Sequence, residues 1–503
     1  MAETPSKTGV DTGGGAPTLL WLRRDLRLGD HPALAAALTR GRPIIPAYVF
    51  DPIDEALLGA APRWRLAQAL AALSAEIEAL GGRLILRRGE AGAALAALAR
   101  ETGAAAVYWS RYYEASAIER DKAVKAALRA RGLEAQSFGG FLMREPFETT
   151  TQSGGFFKVY TPFRKAFAPP ETLETAPSRP ARWPAPRSWP NGLSLRDLDL
   201  EAGMRRGAAV VARYAAFGEA AAEARLERFI ERGLAAYADD RDRLDRDGTS
   251  RLSAHLALGE ISPRRAWAAA AQDPKAEAGA RVFQQELIWR EFAWHLAYHT
   301  PHIRSGNWRA EWDRFPWRAE TDDAAAEAIE RWRQGRTGVA VIDAAMRELY
   351  VTGVMHNRAR MLVGSYLTKN LLVDWRVGER WFAEHLVDFD PASNAMGWQW
   401  VAGSGPDAAP FFRIFNPETQ AEKFDPAGVY VRRWLPEARR RHPAALALSG
   451  PEDGVAGDDG LAFFEACPKS WALCADDPYP EQLLPLKAGR ERALAAYQAM
   501  RAA

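Results

Sequence analysis

Between Thr18 and Phe138, short apolar runs alternate with longer Ala-rich amphipathic ones, and this alternation narrows the fold more than any other property of the chain. The runs TLLWL, PIIPAYVF, RLILRR, AAVYWS and EAQSF are separated by segments 32–40, 63–80, 90–101 and 114–131. Strand then helix, repeated, predicts a parallel sheet, because parallel neighbours need a crossover rather than a tight turn. Asp30, just before His31-Pro32, is expected to cap the first helix, with the proline in its first turn. Gly13, Gly14 and Gly15 precede the first strand instead of following it, so they do not make a dinucleotide-type phosphate loop.

Past residue 145 the pattern changes. Residues 146–215 are rich in Pro, Thr, Ser and Arg, as in APPETLETAPSRPARWPAPRSWP, and their lack of periodicity reads as a linker running over the surface. From about Phe217 helical spacing takes over. Ile342, Ala345, Met346 and Leu349 lie on one stripe, and after a break at Thr352-Gly353 the stripe resumes with Met355, Ala359, Leu362, Val363 and Tyr366. A chain of 503 residues is too long for a single growing core. The expected division is a disordered polar start at 1–16, an α/β domain with a parallel sheet at 17–145, the linker at 146–215 and an all-helical domain at 216–503.

Apolar residues make up 48% of the chain, enough for ordinary cores, yet no run reaches the ~18 uninterrupted residues that span a bilayer. The opening MAETPSKTGVDTGGGAP has no apolar signal core, so a cytoplasmic protein without a membrane partner is expected. With only Cys467 and Cys474, no disulfide framework is expected. A net charge of +2 from 66 basic and 64 acidic residues leaves any nucleic-acid binding to a local basic patch. His295 and His299 are four apart but lack the glutamate of a zinc-peptidase motif, so no metal is expected.

The chain carries 18 tryptophans, and thirteen lie beyond residue 260. Trp375, Trp381, Trp398 and Trp400 are crowded into 26 residues beside Asp388, Asp390, Asn394 and the Arg-rich MHNRARM. A buried indole N–H wants a partner, so this mixture is poor core material and good site material. In GTSRLSAHLALGEISP, Thr249, Ser250 and Ser253 stand where a helix opens, and their hydroxyls with the freed N–H groups suit an anion, although an ordinary capped helix would look the same. Glu286, Trp289 and Arg290 share one helical face in FQQELIWREFAWHLAYHTP.

At these residues the chain resembles the photolyase/cryptochrome flavoproteins, from about Leu19 to Pro436. Asn394 followed by Trp398-Gln399-Trp400 is similar to the class I photolyases that repair cyclobutane pyrimidine dimers. The resemblance implies a photolyase α/β domain joined to an all-α FAD-binding domain. It implies that Tyr237, Thr249, Ser250, Arg251, Leu252 and Ser253 grip the FAD pyrophosphate. Arg290, Asn357, Arg360, Asp388, Phe389 and Asp390 would surround the cofactor, with Asn394 facing flavin N5. Glu286, Trp289, Asn357, Arg358, Met361 and Trp400 would meet the dimer or its phosphates. Trp317, Trp375 and Trp398 match the family's electron chain from the surface to the flavin.

The function so implied is light-driven repair of UV-damaged DNA by a monomeric enzyme using reduced, anionic FAD. The alternatives are a cryptochrome photoreceptor and a (6-4) photoproduct photolyase, for which His356 is the relevant residue. Two departures stand out. Phe389 replaces the glycine of the family's Gly-Asp, and Ala395 and Met396 enlarge the loop after Asn394. Ser116, Ala117 and Ser305 stand where folate-binding family members carry Asn, Glu and Lys. A folate antenna is therefore not expected; a deazaflavin antenna and no antenna both stay open.

Overall fold

The computed structural model describes residues 15–168, 179–272, 276–406, 412–437 and 459–502. The expected disordered start at 1–16 lies outside the described residues except for Gly15 and Ala16. Five strands, β1 (Thr18–Leu22), β2 (Ile44–Phe50), β3 (Ile85–Arg88), β4 (Ala106–Ser110) and β5 (Glu134–Phe138), form one parallel sheet in the order β3-β2-β1-β4-β5. Thr18 of β1 is in register with Ile44 on one side and Ala106 on the other.

The inner strands β1, β2 and β4 are buried on both faces, which is why they read as continuous apolar runs rather than alternating ones, whereas the edge strands β3 and β5 are partly exposed. Leu19 and Trp21 pack under α4 (Ala91–Thr102) and α5 (Ala115–Arg129), in a core with Leu95, Leu98, Val124 and Leu128. Leu20 and Leu22 point the other way, to α1 (Pro32–Thr39) and α3 (Ala60–Ala79), and that core continues into the helical half. A short helix, α2 (Pro52–Leu57), was not signalled by periodicity. Asp51 caps it by accepting from the Ile53 N–H at 2.9 Å, and its other oxygen accepts from the Ala91 N–H at 2.8 Å.

The cap of α1 is not Asp30. His31 takes the position, Nδ1 accepting from the Leu34 N–H at 3.2 Å. Asp30 is drawn away to the second half, where its carboxylate meets the Ser262 hydroxyl and Arg264, the latter at 2.8 Å, and its φ is held at 43°. The stretch 146–215 is also more ordered than its composition suggests. It contains α6 (Tyr160–Ala166), anchored by buried Tyr160 and Phe163, a helix at Gly207–Val211 and a β-bridge from Leu193 to Leu86.

The carboxyl ends of β1 and β4, where the strand order reverses, face the helical half. Arg24 donates to the carbonyls of Ala257 at 3.2 Å and Phe389 at 3.5 Å, and Arg27 to Gly259 at 2.9 Å. Arg65 of α3 pairs with Glu260, which also meets His255, and all three side chains are at least 98% buried. These contacts hold Ser253–Leu258, the helix that follows the hydroxyl-rich segment.

Candidate functional site

The hydroxyl-rich segment is a loop that runs into the helix rather than its capped first turn. The helix begins at Ser253 and has no side-chain cap, so Thr249 and Ser250 stand ahead of it. Thr249 and Ser250 are half-buried, and Ser253 is exposed. Arg251 sits at φ 52°, with Nε donating to Asp247 at 2.6 Å. A Cβ on Gly248 would lie 2.5 Å from the Asp240 carbonyl oxygen, so only glycine lets the loop close on the turn that carries Tyr237. Tyr237 is buried edge-on against Phe229 and Phe283.

The second wall comes from residues 388–394. Arg360 donates from Nη2 to Asp388 Oδ2 at 2.7 Å and from Nε to the Met355 carbonyl at 2.7 Å. Asp388 is 5% exposed, and its Oδ1 is buried with no partner, an uncompensated acceptor whose desolvation is costly unless something donates to it. Asp390 caps the helix Pro391–Ala402 through Ser393 and accepts from Trp294 Nε1 at 2.9 Å. Phe389, in the glycine position of the family pattern, is buried.

Asn394, in the first turn of that helix, commits its amide nitrogen to Glu379, to the carbonyl at 3.1 Å and to Oε1 at 3.0 Å. Its amide oxygen makes no hydrogen bond to a described residue and is left as an acceptor. Glu379 was not anticipated from the sequence. It lies 15 residues away on the preceding helix Trp375–His385, and burial raises its carboxyl above the ordinary range.

The long helix Glu277–His299 does not keep Glu286, Trp289 and Arg290 as one cluster. Glu286 pairs with Arg241 at 2.5 Å, and burial pushes its carboxyl up. Asp242, next in sequence, pairs with Arg358 at 2.5 Å. Arg241 and Asp242 lie in YADDRDRLDRDG, a charge run that reads as a solvated face, so the sequence carried no signal for them.

Trp289 lies flat on Tyr160, with centroids 3.4 Å apart and planes at 7°, bringing α6 over this face. Arg290 points inward and donates to the carbonyls of Phe141 at 3.2 Å and Leu256 at 3.4 Å, so its guanidinium ties elements together. Asn357 is exposed and Met361 half-buried one turn later, at the start of the helix Asn357–Ser365. His356 caps that helix, Nδ1 accepting from the Arg358 N–H at 3.1 Å; burial lowers its pKa to about 4.

The three tryptophans of the expected electron chain are each held in a separate packing environment. Trp398 is 4% exposed, meets Phe382 edge-on at 4.9 Å and Trp332 at 6.3 Å, and has a buried, unpartnered Nε1. Trp375 is fully buried and donates to Asn307 Oδ1 at 2.9 Å. Trp317 packs on Phe315 at 4.4 Å and Trp312 at 6.1 Å. Trp400, two residues past Trp398, faces outward toward Phe415 at 6.5 Å, with Arg413 over its ring at 5.9 Å.

His295 and His299 serve the fold, both facing the Pro146 carbonyl, with His295 Nε2 also accepting from the Phe157 N–H. Among the described residues no cluster of three or more His, Cys, Asp or Glu is placed to hold a metal ion. Likewise, no described helix is long and apolar enough to cross a membrane.

A sheet domain whose strand ends are plugged by a helical domain lined with arginine, paired carboxylates and buried indoles defines a two-domain cofactor-binding architecture. Residues 18–184 match the family model described as DNA photolyase, and residues 283–499 match the FAD binding domain of DNA photolyase. The chain belongs to the photolyase/cryptochrome family. It is 42% identical to a deoxyribodipyrimidine photo-lyase of Agrobacterium fabrum over 97% of this chain and 98% of that one. It is 35% identical to cryptochrome-1 of Arabidopsis thaliana over 85% of this chain and 64% of that one. Among solved structures, a bacterial class III photolyase from Agrobacterium tumefaciens matches at 41% identity and a TM-score of 0.86, over 97% of this chain and 98% of that one.

The residues present fit FAD. The orphaned Asp388 Oδ1 and the uncommitted Asn394 oxygen are acceptors for ring N–H groups, the Arg360 guanidinium adds positive charge at the same wall, and the hydroxyls at 249–253 suit a pyrophosphate.

Proposed function

We propose that this chain is a light-driven enzyme that splits cyclobutane pyrimidine dimers in DNA. Bound FAD, reduced and anionic, supplies a photoexcitable electron donor. Tyr237 and the 249–253 loop hold its pyrophosphate. Asp388 and Arg360 orient the ring, and Asn394 offers a neutral oxygen at N5 rather than a charge. Trp398, Trp375 and Trp317 carry reducing electrons inward from the surface.

Trp289 and Trp400 offer ring faces to an unstacked dimer, Glu286 hydrogen-bonds a base edge, and Asn357, Arg358 and Met361 complete the rim. A dimer flips out more cheaply than intact bases because its stacking is already damaged. Arg358 and neighbouring cations supply the sequence-independent attraction to phosphate.

The observation that carries this reading is Asn394, whose amide nitrogen is spent on Glu379 while its oxygen stays uncommitted. The likeness to cryptochrome-1 supports a photoreceptor as the second reading; Asn394 and Trp398-Gln399-Trp400 favour repair. A (6-4) reading asks for a histidine pair near the lesion, and His356 is spent as the cap of the helix Asn357–Ser365.

Within the family, the 41% identity to a class III photolyase over nearly all of both chains favours class III over class I. For the antenna, Ser116, Ala117 and Ser305 in place of the Asn, Glu and Lys of folate-binding members support a reading without folate, and leave a deazaflavin or no antenna.

The test is blue-light repair of a dimer-containing oligonucleotide by purified protein showing flavin absorption. In Trp398→Phe, photoreduction of oxidised FAD should fail while repair by chemically pre-reduced enzyme persists. Flavin bands without repair would move the assignment to a photoreceptor.

A further inference from the structure

Tyr160 opens α6 in a stretch whose composition reads as linker, yet it is 7% exposed and its ring lies on that of Trp289, centroids 3.4 Å apart and planes at 7°. Rings at that spacing are in van der Waals contact, which leaves no room for water between them. The surface that half-buried Trp289 keeps therefore belongs to its rim and to its other face, and a ligand reaches the indole only from there.

The stack is tied to the helix that carries Trp289. The Tyr160 hydroxyl donates to the Gln285 carbonyl at 3.0 Å, one turn before Trp289, and this is the carbonyl that the Trp289 N–H reaches in a regular α-helix. The Tyr160 ring meets Phe292 edge-on at 5.8 Å. Just ahead of α6, the Phe157 N–H donates to His295 Nε2 at 3.1 Å, so the chain entering α6 is fastened further along the same helix. Phe163, also on α6, packs on Phe292 at 5.1 Å and His295 at 4.9 Å rather than on Trp289.

One side chain of α6 thus holds Trp289, and another anchors the helix without touching it. An indole with no such neighbour turns between rotamers, and ordering one rotamer-rich side chain on binding weakens affinity by about three- to tenfold. A ring pinned flat beforehand avoids that loss.

We propose that Tyr160 is a positioning residue for lesion recognition: by holding the Trp289 ring flat, it closes one face and presents the other, ready placed, to an extruded dimer. This rests on the reading of Trp289 as a dimer contact. Tyr160 itself meets no substrate, because its ring is engaged by Trp289 and Phe292 and its hydroxyl by Gln285.

FAD-loaded full-length protein, kept in the dark, is titrated by competition with a duplex containing one thymine dimer and with the same duplex undamaged. The ratio of the two affinities is followed in wild type, Tyr160→Phe, Tyr160→Leu, Trp289→Leu, the double variant Tyr160→Leu/Trp289→Leu, and Phe163→Leu, which loosens α6 away from the indole. Tyr160→Met, of similar volume and without a flat face, replaces Tyr160→Leu if that variant does not load FAD.

Tyr160→Leu should lower the ratio about three- to tenfold by weakening dimer binding alone, and Tyr160→Phe, which keeps the ring, should stay within about twofold of wild type. In the Trp289→Leu background, Tyr160→Leu should take nothing further from the ratio. Phe163→Leu should lower the urea midpoint and leave the ratio unchanged. A ratio unmoved in Tyr160→Leu overturns the proposal, as do additive losses in the double variant or an equal loss in Phe163→Leu, since Tyr160 would then serve folding only. An unchanged ratio in Trp289→Leu overturns it too, while blue-light repair by wild type leaves the photolyase reading standing. Wild-type protein with neither repair nor any preference for the dimer sinks that reading and this proposal together.

Discussion

Gly378 presses against Trp398, and replacing it with alanine sets two effects of known sign against each other. Gly378 lies inside the helix Trp375–His385, where alanine is normally favoured by about 1 kcal/mol. A Cβ there, however, would lie 2.0, 2.4 and 2.6 Å from Cη2, Cζ3 and Cζ2 of the Trp398 ring. Carbon pairs settle at roughly 3.5–4.0 Å, so the indole must retreat by about 1.5 Å. It has little room, because Phe382 and Trp332 meet it edge-on at 4.9 and 6.3 Å and the side chain is only 4% exposed.

Overpacking costs about 1–3 kcal/mol, and an approach this close belongs to the upper part of that range, about 2–3 kcal/mol; less the helix gain of about 1, Gly378→Ala should lose about 1–2 kcal/mol in urea unfolding of the FAD-loaded protein. The decisive arm is a double-mutant cycle with Trp398→Phe. Phenylalanine lacks the three clashing atoms, so the double variant should be at least ~1 kcal/mol more stable than the sum of the singles. An alanine variant more stable than wild type, with additive singles, would show that the ring is not held where it is drawn.

Asn394→Asp places a second carboxylate about 3.0 Å from Glu379 Oε1. The two cannot both ionise cheaply, so the variant's melting temperature should fall more steeply between pH 5 and 8 than the wild type's, and the yield of fully reduced flavin under illumination should fall with it; equal slopes would remove the contact. Trp400→Ala should weaken binding to dimer-containing DNA by ~1–3 kcal/mol and leave undamaged DNA nearly untouched, and competition titrations showing equal losses on both would reassign the residue. Glu291 is pushed up to about 7 by burial, against the pull of Arg290, while accepting from the Met143 and Arg144 N–H groups. From pH 4.5 to 7 the folded chain therefore keeps a proton that the unfolded chain has released, and this group's contribution to stability falls as pH rises. Glu291→Gln should gain up to about 3 kcal/mol on the wild type across that window in pH-dependent unfolding, and parallel curves would count against the shift.

The sheet was legible because its inner strands β1, β2 and β4 bury both faces and so appear as apolar runs. The hairpin break was legible too, since Gly353 takes φ 69° at a helix end where other residues are strained. What escaped were partners that meet only in space. Tyr160 sits in a stretch whose Pro and Thr content reads as linker, and its stack on Trp289 depends on a fold 129 residues further along the chain. Lys369 occupies a position that periodicity assigns to an ordinary helix, and only a π-helical turn, Tyr366–Asn370, makes it interior. Asp30 was misplaced for the same reason: capping is a local argument, and Ser262 and Arg264, over 230 residues away, outbid it.

Arg65 comes from the sheet domain, yet the acid it neutralises, Glu260, belongs to the helical one and has no exposed surface. Removing the Arg65 guanidinium while the two domains stay docked would leave that acid and His255 facing each other without their cation, and stripping one member from a buried pair typically costs 3–5 kcal/mol. That is a large share of what holds any single domain folded. The two halves are thus matched to each other: a sheet domain grafted from a relative would have to bring its own arginine at this position.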